Sequence, residues 1–179
     1  MTGRDPQGAV RDARAAVCKR PEDRRAMRDL AAALRAVGDI AEAERHERHA
    51  IDIGLREPAV IRARQALAAN EVEAATQAIR PHVLADPDDG AALHVLGLIA
   101  ERCRSLHKAE GLFRRAVGLA PGYAEAQLSL ASLLNRTGRI DEALAAADAV
   151  LEREPTDRAG LLLKARTLSV DGSRVARVI

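Results

Sequence analysis

The chain has 179 residues, 38 of them alanine, while Phe, Tyr and Trp together supply two, so a strand-rich core of aromatic and β-branched side chains is excluded in favour of alanine-rich helices. Twenty-eight Lys and Arg against twenty-six Asp and Glu leave a formal charge of +2, which gives no electrostatic case for a nucleic-acid partner. Cys18 and Cys103 match neither a disulfide scaffold nor a paired metal motif and are expected as reduced, partly buried thiols.

Met1 to Arg14 is charged and lacks the apolar run of a secretory leader. No apolar stretch approaches the roughly twenty residues that cross a bilayer, so the expectation is a soluble, cytoplasmic protein with no membrane partner. Met1–Gln7 reads as disordered, and Val10, Ala13, Ala16 and Val17 predict a short capping helix within an extension of residues 1–20.

Residues 21–179 are repetitive. Pro87, Pro121 and Pro155 fall thirty-four residues apart, and two amphipathic helices fit each interval. A first unit, residues 24–57, carries Leu30, Ala31, Leu34, Ala43 and Ala50 on one face, with Leu55 at its end. A second, 58–89, is shortened to thirty-two residues; Ile61, Ala66, Leu67, Ala75, Ile79 and Pro87 keep the pattern while Arg62 and Arg64 crowd its first helix. Residues 90–123 carry Ala91, Leu93, Leu96, Gly97 and Ala100, then Ala109, Phe113 and Ala116, and close on Pro121. Residues 124–157 repeat this with Leu130, Ala131, Leu134, Ala143, Ala147, Val150 and Pro155. A partial fifth unit, 158–179, opens on Gly160–Leu168, with Gly172 at its expected turn. Its last residues, Arg177-Val178-Ile179, are expected to begin a second helix, an ending that suits a piece of a longer protein.

Gly38 and Gly138 sit where each unit must turn, and glycine supplies the left-handed conformation that ends a helix. Asn70 is expected to substitute for glycine at the same place. Asp86, Asp88 and Asp89 surround Pro87, where aspartate satisfies free backbone amides at a helix start.

The pattern resembles the tetratricopeptide repeat, most closely in residues 90–123. There Leu96 and Gly97 look like the close-contact pair of the first helix, Ala109 like the small residue at the helix crossing, and Phe113 and Ala116 like the inter-helix packing positions, with Pro121 completing the unit. Residues 124–157 match through Leu130, Ala131, Gly138, Ala143 and Pro155. The resemblance implies an all-α, right-handed superhelix of stacked helix hairpins, whose concave face is lined by the first helix of each pair and suits an extended peptide or a partner helix.

Inward-pointing candidates are Arg28, Ala32 and Arg35 in the first unit and Val60 and Arg64 in the second. In the third they are His94, Leu98, Glu101 and Arg102, and in the fourth Leu128, Ser132, Asn135 and Arg136. Arginine dominates the polar positions, and a guanidinium clamps a carboxylate through two parallel hydrogen bonds, so an acidic or C-terminal peptide is the expected ligand class. Some family members hold chaperone tails through a Lys and Asn clamp. Arg28 matches the first clamp lysine, but Ala32 stands for the first asparagine and Glu125 and Ser129 for later clamp residues, which disfavours that ligand.

No catalytic constellation, cofactor motif or metal site is expected. His46 and His49 are one residue short of the zincin spacing, His82, His94 and His107 stand singly, and no phosphate-binding loop or nucleophile elbow occurs. The stretches Ala85–Gly97 and Leu119–Ala124 resemble the N-terminal array of bacterial proteins that join these repeats to a sulfotransferase domain. That resemblance implies a substrate-docking role, with any catalysis beyond Ile179. A third expectation is self-association through the last unit, where Leu161, Leu162, Leu163 and Leu168 would stack on a second copy.

Overall fold

The computed structural model describes residues 5–175, which form ten α-helices and no strand. They are α1 (Pro6–Lys19), α2 (Arg24–Ala36), α3 (Ile40–Leu55), α4 (Pro58–Ala68), α5 (Val72–Ala85), α6 (Gly90–Arg102), α7 (Leu106–Leu119), α8 (Ala124–Arg136), α9 (Ile140–Leu151) and α10 (Arg158–Val175). Among the described residues, no helix is long and apolar enough to cross a membrane.

Four hairpins, α2–α3, α4–α5, α6–α7 and α8–α9, carry the closest packing in the molecule. The crossing position of each second helix is alanine: Ala43, Ala75, Ala109 and Ala143 are all fully buried. On the first helices Ala31, Ala63 and Ala131 are likewise buried, and Gly97 leaves its backbone bare for the Phe113 ring, so the helix axes can approach closely. The first hairpin carries a buried carboxylate. Glu47 stands where Ile79, Phe113 and Ala147 stand in the others, is 5% exposed, and receives both arms of Arg35, Nε to Oε1 at 2.7 Å and Nη2 to Oε2 at 2.8 Å.

The turns follow the spacing. Gly38 (φ 86°), Asn70 (φ 62°) and Gly138 (φ 82°) all adopt the left-handed conformation expected of them, and Arg104 (φ 58°) completes the series in the third hairpin with no residue signal of its own. Asp23 and Asp89 cap α2 and α6, each through one carboxylate oxygen on two amides.

Three expectations are corrected. Asp5 accepts the amides of Gln7 and Gly8 and starts α1 at Pro6, so order begins inside the segment read as disordered; residues 1–4 lie outside the described chain. The helix α1 is more than a cap. Ala9, Ala13, Ala16 and Pro21 precede Ala43, Glu47, Ala50 and Leu55 by thirty-four residues each, and α1 packs on α2 as α5 packs on α6. Finally, the backbone stays helical through Gly172, where a turn was expected. A glycine in a helix interior costs only about 1 kcal/mol relative to alanine, so the helix propagates through it, and the outer face of α10 keeps Leu161, Leu162 and Leu168 exposed. Residues 176–179 lie outside the described chain.

The first hairpin also sits differently from the rest. While α5 packs on α6, α7 on α8 and α9 on α10, α3 touches α4 only lightly and packs more heavily on α6. The shortening read in residues 58–89 accounts for this. Only Arg56 and Glu57 connect α3 to α4, where four residues connect α5 to α6 and four connect α7 to α8. The helix α3 is longer than α5 or α7, and α4 is shorter than α6 or α8. As a result α3 crosses the inter-repeat corners: Gly54 meets Asp89 and Ala91, Ile51 packs with Ala120 and Tyr123, and Glu44 pairs with Arg153 at 3.0 Å.

Candidate functional site

A groove of about 620 Å³ opens between the C-terminal halves of α4 and α6 and the end of α8. Leu67, Ala68, Leu98 and Leu106 give it an apolar floor, and Glu101, Arg102, Arg104 and Arg136 its polar rim. The helical spacing of three and four residues puts Leu98, Glu101 and Arg102 on one face of α6, while the left-handed turn at Arg104 projects a further guanidinium beside them. Arg102 Nη1 donates to Asn70 Oδ1 at 3.0 Å, and Arg136 is paired with Glu101. Among the described residues, neither Arg102 nor Arg104 has a carboxylate partner.

Four of the sequence candidates, Leu98, Glu101, Arg102 and Arg136, thus meet in one groove. Arg64 lies on the same side of the stack and bridges to Glu125 at 3.2 Å. Leu128, Ser132 and Asn135 are half-buried along α8, and Asn135 Oδ1 is buried with no hydrogen-bond partner among the described residues. The structure takes others away. Arg28 turns to Asp86 at 3.1 Å at the α5–α6 corner, and Arg35 is committed to Glu47. Val60 and His94, read as inward-pointing, are buried, because the neighbouring hairpins close over the first turns of α4 and α6. Leu67, Ala68, Arg104 and Leu106 were missed; register alone could have found Arg104, which stands thirty-four residues from both Asn70 and Gly138. Cys18 and Cys103, expected partly buried, are both exposed.

His94 is instead an interior hydrogen-bonding hub. Its Nδ1 lies 3.1 Å from the Tyr123 hydroxyl and its Nε2 2.9 Å from Ser129 Oγ, with the Phe113 and Tyr123 rings at 5.7 and 5.3 Å. Burial penalises the charged imidazolium and pulls its pKa down to about 4, and burial likewise raises that of Tyr123. The unfolded chain therefore binds a proton at pH values where the folded one does not. Stability should fall by up to about 3 kcal/mol as pH drops from about 6.5 to about 4. Urea unfolding across that window checks this, and His94→Gln should flatten the slope.

Helix hairpins with small residues at every crossing, stacked so that first helices line one groove, define an all-α solenoid. Two models of the tetratricopeptide repeat match the chain, one over residues 1–54 and 62–124, the other over residues 105–167. The chain belongs to the tetratricopeptide repeat family. No curated protein sequence matches it.

Among solved structures, a mutant O-GlcNAc transferase from Thermobaculum terrenum is similar at 26% identity and a TM-score of 0.59, over 68% of this chain and 22% of that one. The second repeat domain of human RPAP3, solved with the HSP70 peptide SGPTIEEVD, is similar at 16% identity and a TM-score of 0.55, over 61% of this chain and 91% of that one. YrrB, described as a repeat protein with an unusual peptide-binding site, is similar at 19% identity and a TM-score of 0.55, over 93% of this chain and 87% of that one. Neither the family models nor these structures tie the chain to a sulfotransferase.

Proposed function

We propose that the chain is a non-catalytic interaction scaffold that holds an extended acidic peptide in the groove between α4, α6 and α8. The observation that carries this reading is the pair Arg102 and Arg104, two guanidiniums without carboxylate partners among the described residues, beside the leucine floor. Apolar side chains of the peptide would rest on Leu67, Leu98 and Leu106, and its carboxylates would take paired hydrogen bonds from the rim. Peptide binding by two proteins of the same fold supports the use of such a groove.

Fluorescence anisotropy with a labelled Glu- and Leu-rich decamer tests it. Binding should weaken with salt, because exposed charges are screened within about 10 Å at 0.1 M. Arg102→Glu with Arg104→Glu should weaken it at least about tenfold, the loss of roughly 1.4 kcal/mol. Equal binding by the variant, or preference for a Lys- and Leu-rich decamer, would overturn the reading.

Two companion readings remain proposals. Self-association through α10 is favoured by the exposure of Leu161, Leu162 and Leu168 on its outer face. A docking role within a longer sulfotransferase is supported by the stretches 85–97 and 119–124 alone and is tested by reading the coding sequence past Ile179. A reducing, cytoplasmic location belongs to the same proposal, supported by two exposed cysteines that form no disulfide.

A further inference from the structure

The surface beneath α3 is built differently from the peptide groove and shares none of its lining residues. The helices α1, α2 and α3 form a body with its own core of Val10, Leu30, Ala31, Leu34 and Ala43, none of which belongs to a core cluster of the other hairpins. That body reaches the rest of the chain across the corners. Ile51 enters the cluster of Leu93, Ala116, Ala120, Tyr123 and Ala126, with Leu55 beside it. The fit is close on both sides. A Cβ on Gly54 would lie 2.6 Å from Asp89 Oδ1, and one on Gly90 would lie 2.6 Å from Ile51 Cδ1. Charges complete it. Arg24 reaches Asp89 at 3.1 Å and Asp86 at 3.2 Å, and Arg28 reaches Asp86 at 3.1 Å.

Only Arg56 and Glu57 join the two parts, α3 packs lightly on α4, and Glu57 makes no side-chain cap bond to α4. We propose that this corner surface is an interface between copies, at which two chains exchange their α1–α3 bodies across the Arg56-Glu57 connector. Exchange repeats every contact of the closed chain in trans and alters only the connector, so the two forms differ little in packing and high concentration favours the dimer. The occupant is the same segment from a second copy. Any other occupant would need one helix that presents glycine to Asp89 and Ala91 with an isoleucine one turn earlier, and a second helix that presents guanidiniums to Asp86.

A charge-reversed pair of full-length chains tests this. In Arg28→Asp the body is repelled by its own Asp86; in Asp86→Arg the corner is repelled by its own Arg24 and Arg28. After exchange between the two variants, the carboxylate introduced by Arg28→Asp would face the guanidinium introduced by Asp86→Arg, and the other site would be that of the unmodified protein. Each variant alone should melt below the unmodified chain. Refolded together from urea, they should give a one-to-one dimer by light scattering, with a higher melting temperature than either alone. A variant that fails to fold alone should regain helicity on mixing. A mixture that behaves as the sum of its two components overturns the proposal. So does a dimer formed equally by each variant alone, which is the signature of contact through α10.

Discussion

Phe113→Ala is expected to destabilise the protein by about 3–5 kcal/mol, the range for removing a buried aromatic and leaving a cavity. Phe113 is the only phenylalanine in the chain and is fully buried. Its ring lies on the bare backbone of Gly97, where a Cβ would stand 2.4 Å from Cε1 and 2.6 Å from Cδ1. From there it packs with Ala109, Leu130, Leu133, Leu134 and Ala143, so it joins the third hairpin to the fourth. The same contact makes Gly97→Ala an overpacking change of roughly 1–3 kcal/mol in spite of alanine's better helix propensity. The two sites are one unit. Combining Gly97→Ala with Phe113→Leu should recover part of the loss, because the smaller side chain vacates the space the methyl needs. Urea midpoints of the four proteins measure the coupling; additive losses would show that the ring and the glycine do not share the contact.

Asp89→Ala is expected to destabilise the protein by about 3–5 kcal/mol, well beyond the roughly 1 kcal/mol of an ordinary helix cap. The carboxylate is 1% exposed and serves several groups at once. Oδ1 accepts the amides of Ala91 at 2.9 Å and Ala92 at 3.3 Å, while Oδ2 lies 2.8 Å from His82 Nε2 and 3.1 Å from Arg24 Nη1. Removing it leaves the start of α6 uncapped and strips a poorly exposed guanidinium of one of its three carboxylates, the others being Glu57 and Asp86. Asp89→Asn separates the contributions. It keeps an acceptor for the cap and removes the charge, so its loss should fall between those of the unmodified protein and the alanine variant. A loss of only about 1 kcal/mol for Asp89→Ala would mean that the position acts as a cap alone.

Asp89 also shows what could be read without a structure. As a helix-start aspartate after Pro87 it was legible, because capping is a contact between residues two and three apart. Its service to Arg24 and His82 was not, since one partner lies on another hairpin and the other on the preceding helix. The candidate groove divides in the same way. Leu98, Glu101, Arg102 and Arg136 were legible from their places along α6 and α8, whereas Arg28 and Arg35 carry the same residue type at comparable places and turn inward to Asp86 and Glu47. Residue type and helix face give the direction of a side chain, and the nearest carboxylate then decides whether that charge is spent within the chain.

The all-α class, the hairpin spacing, the alanines at each crossing and the turns at Gly38, Asn70 and Gly138 follow from residue order alone. Each of these depends on residues within one hairpin, where helical periodicity and backbone sterics act locally. Packing between hairpins sets where α3 lies, which arginines face the groove and that His94 is interior. A connector two residues shorter than those before α6 and α8 swings α3 off α4 and across the corners, and the contacts that hold it there, from Asp86 to Arg153, are brought together by packing between hairpins distant along the chain.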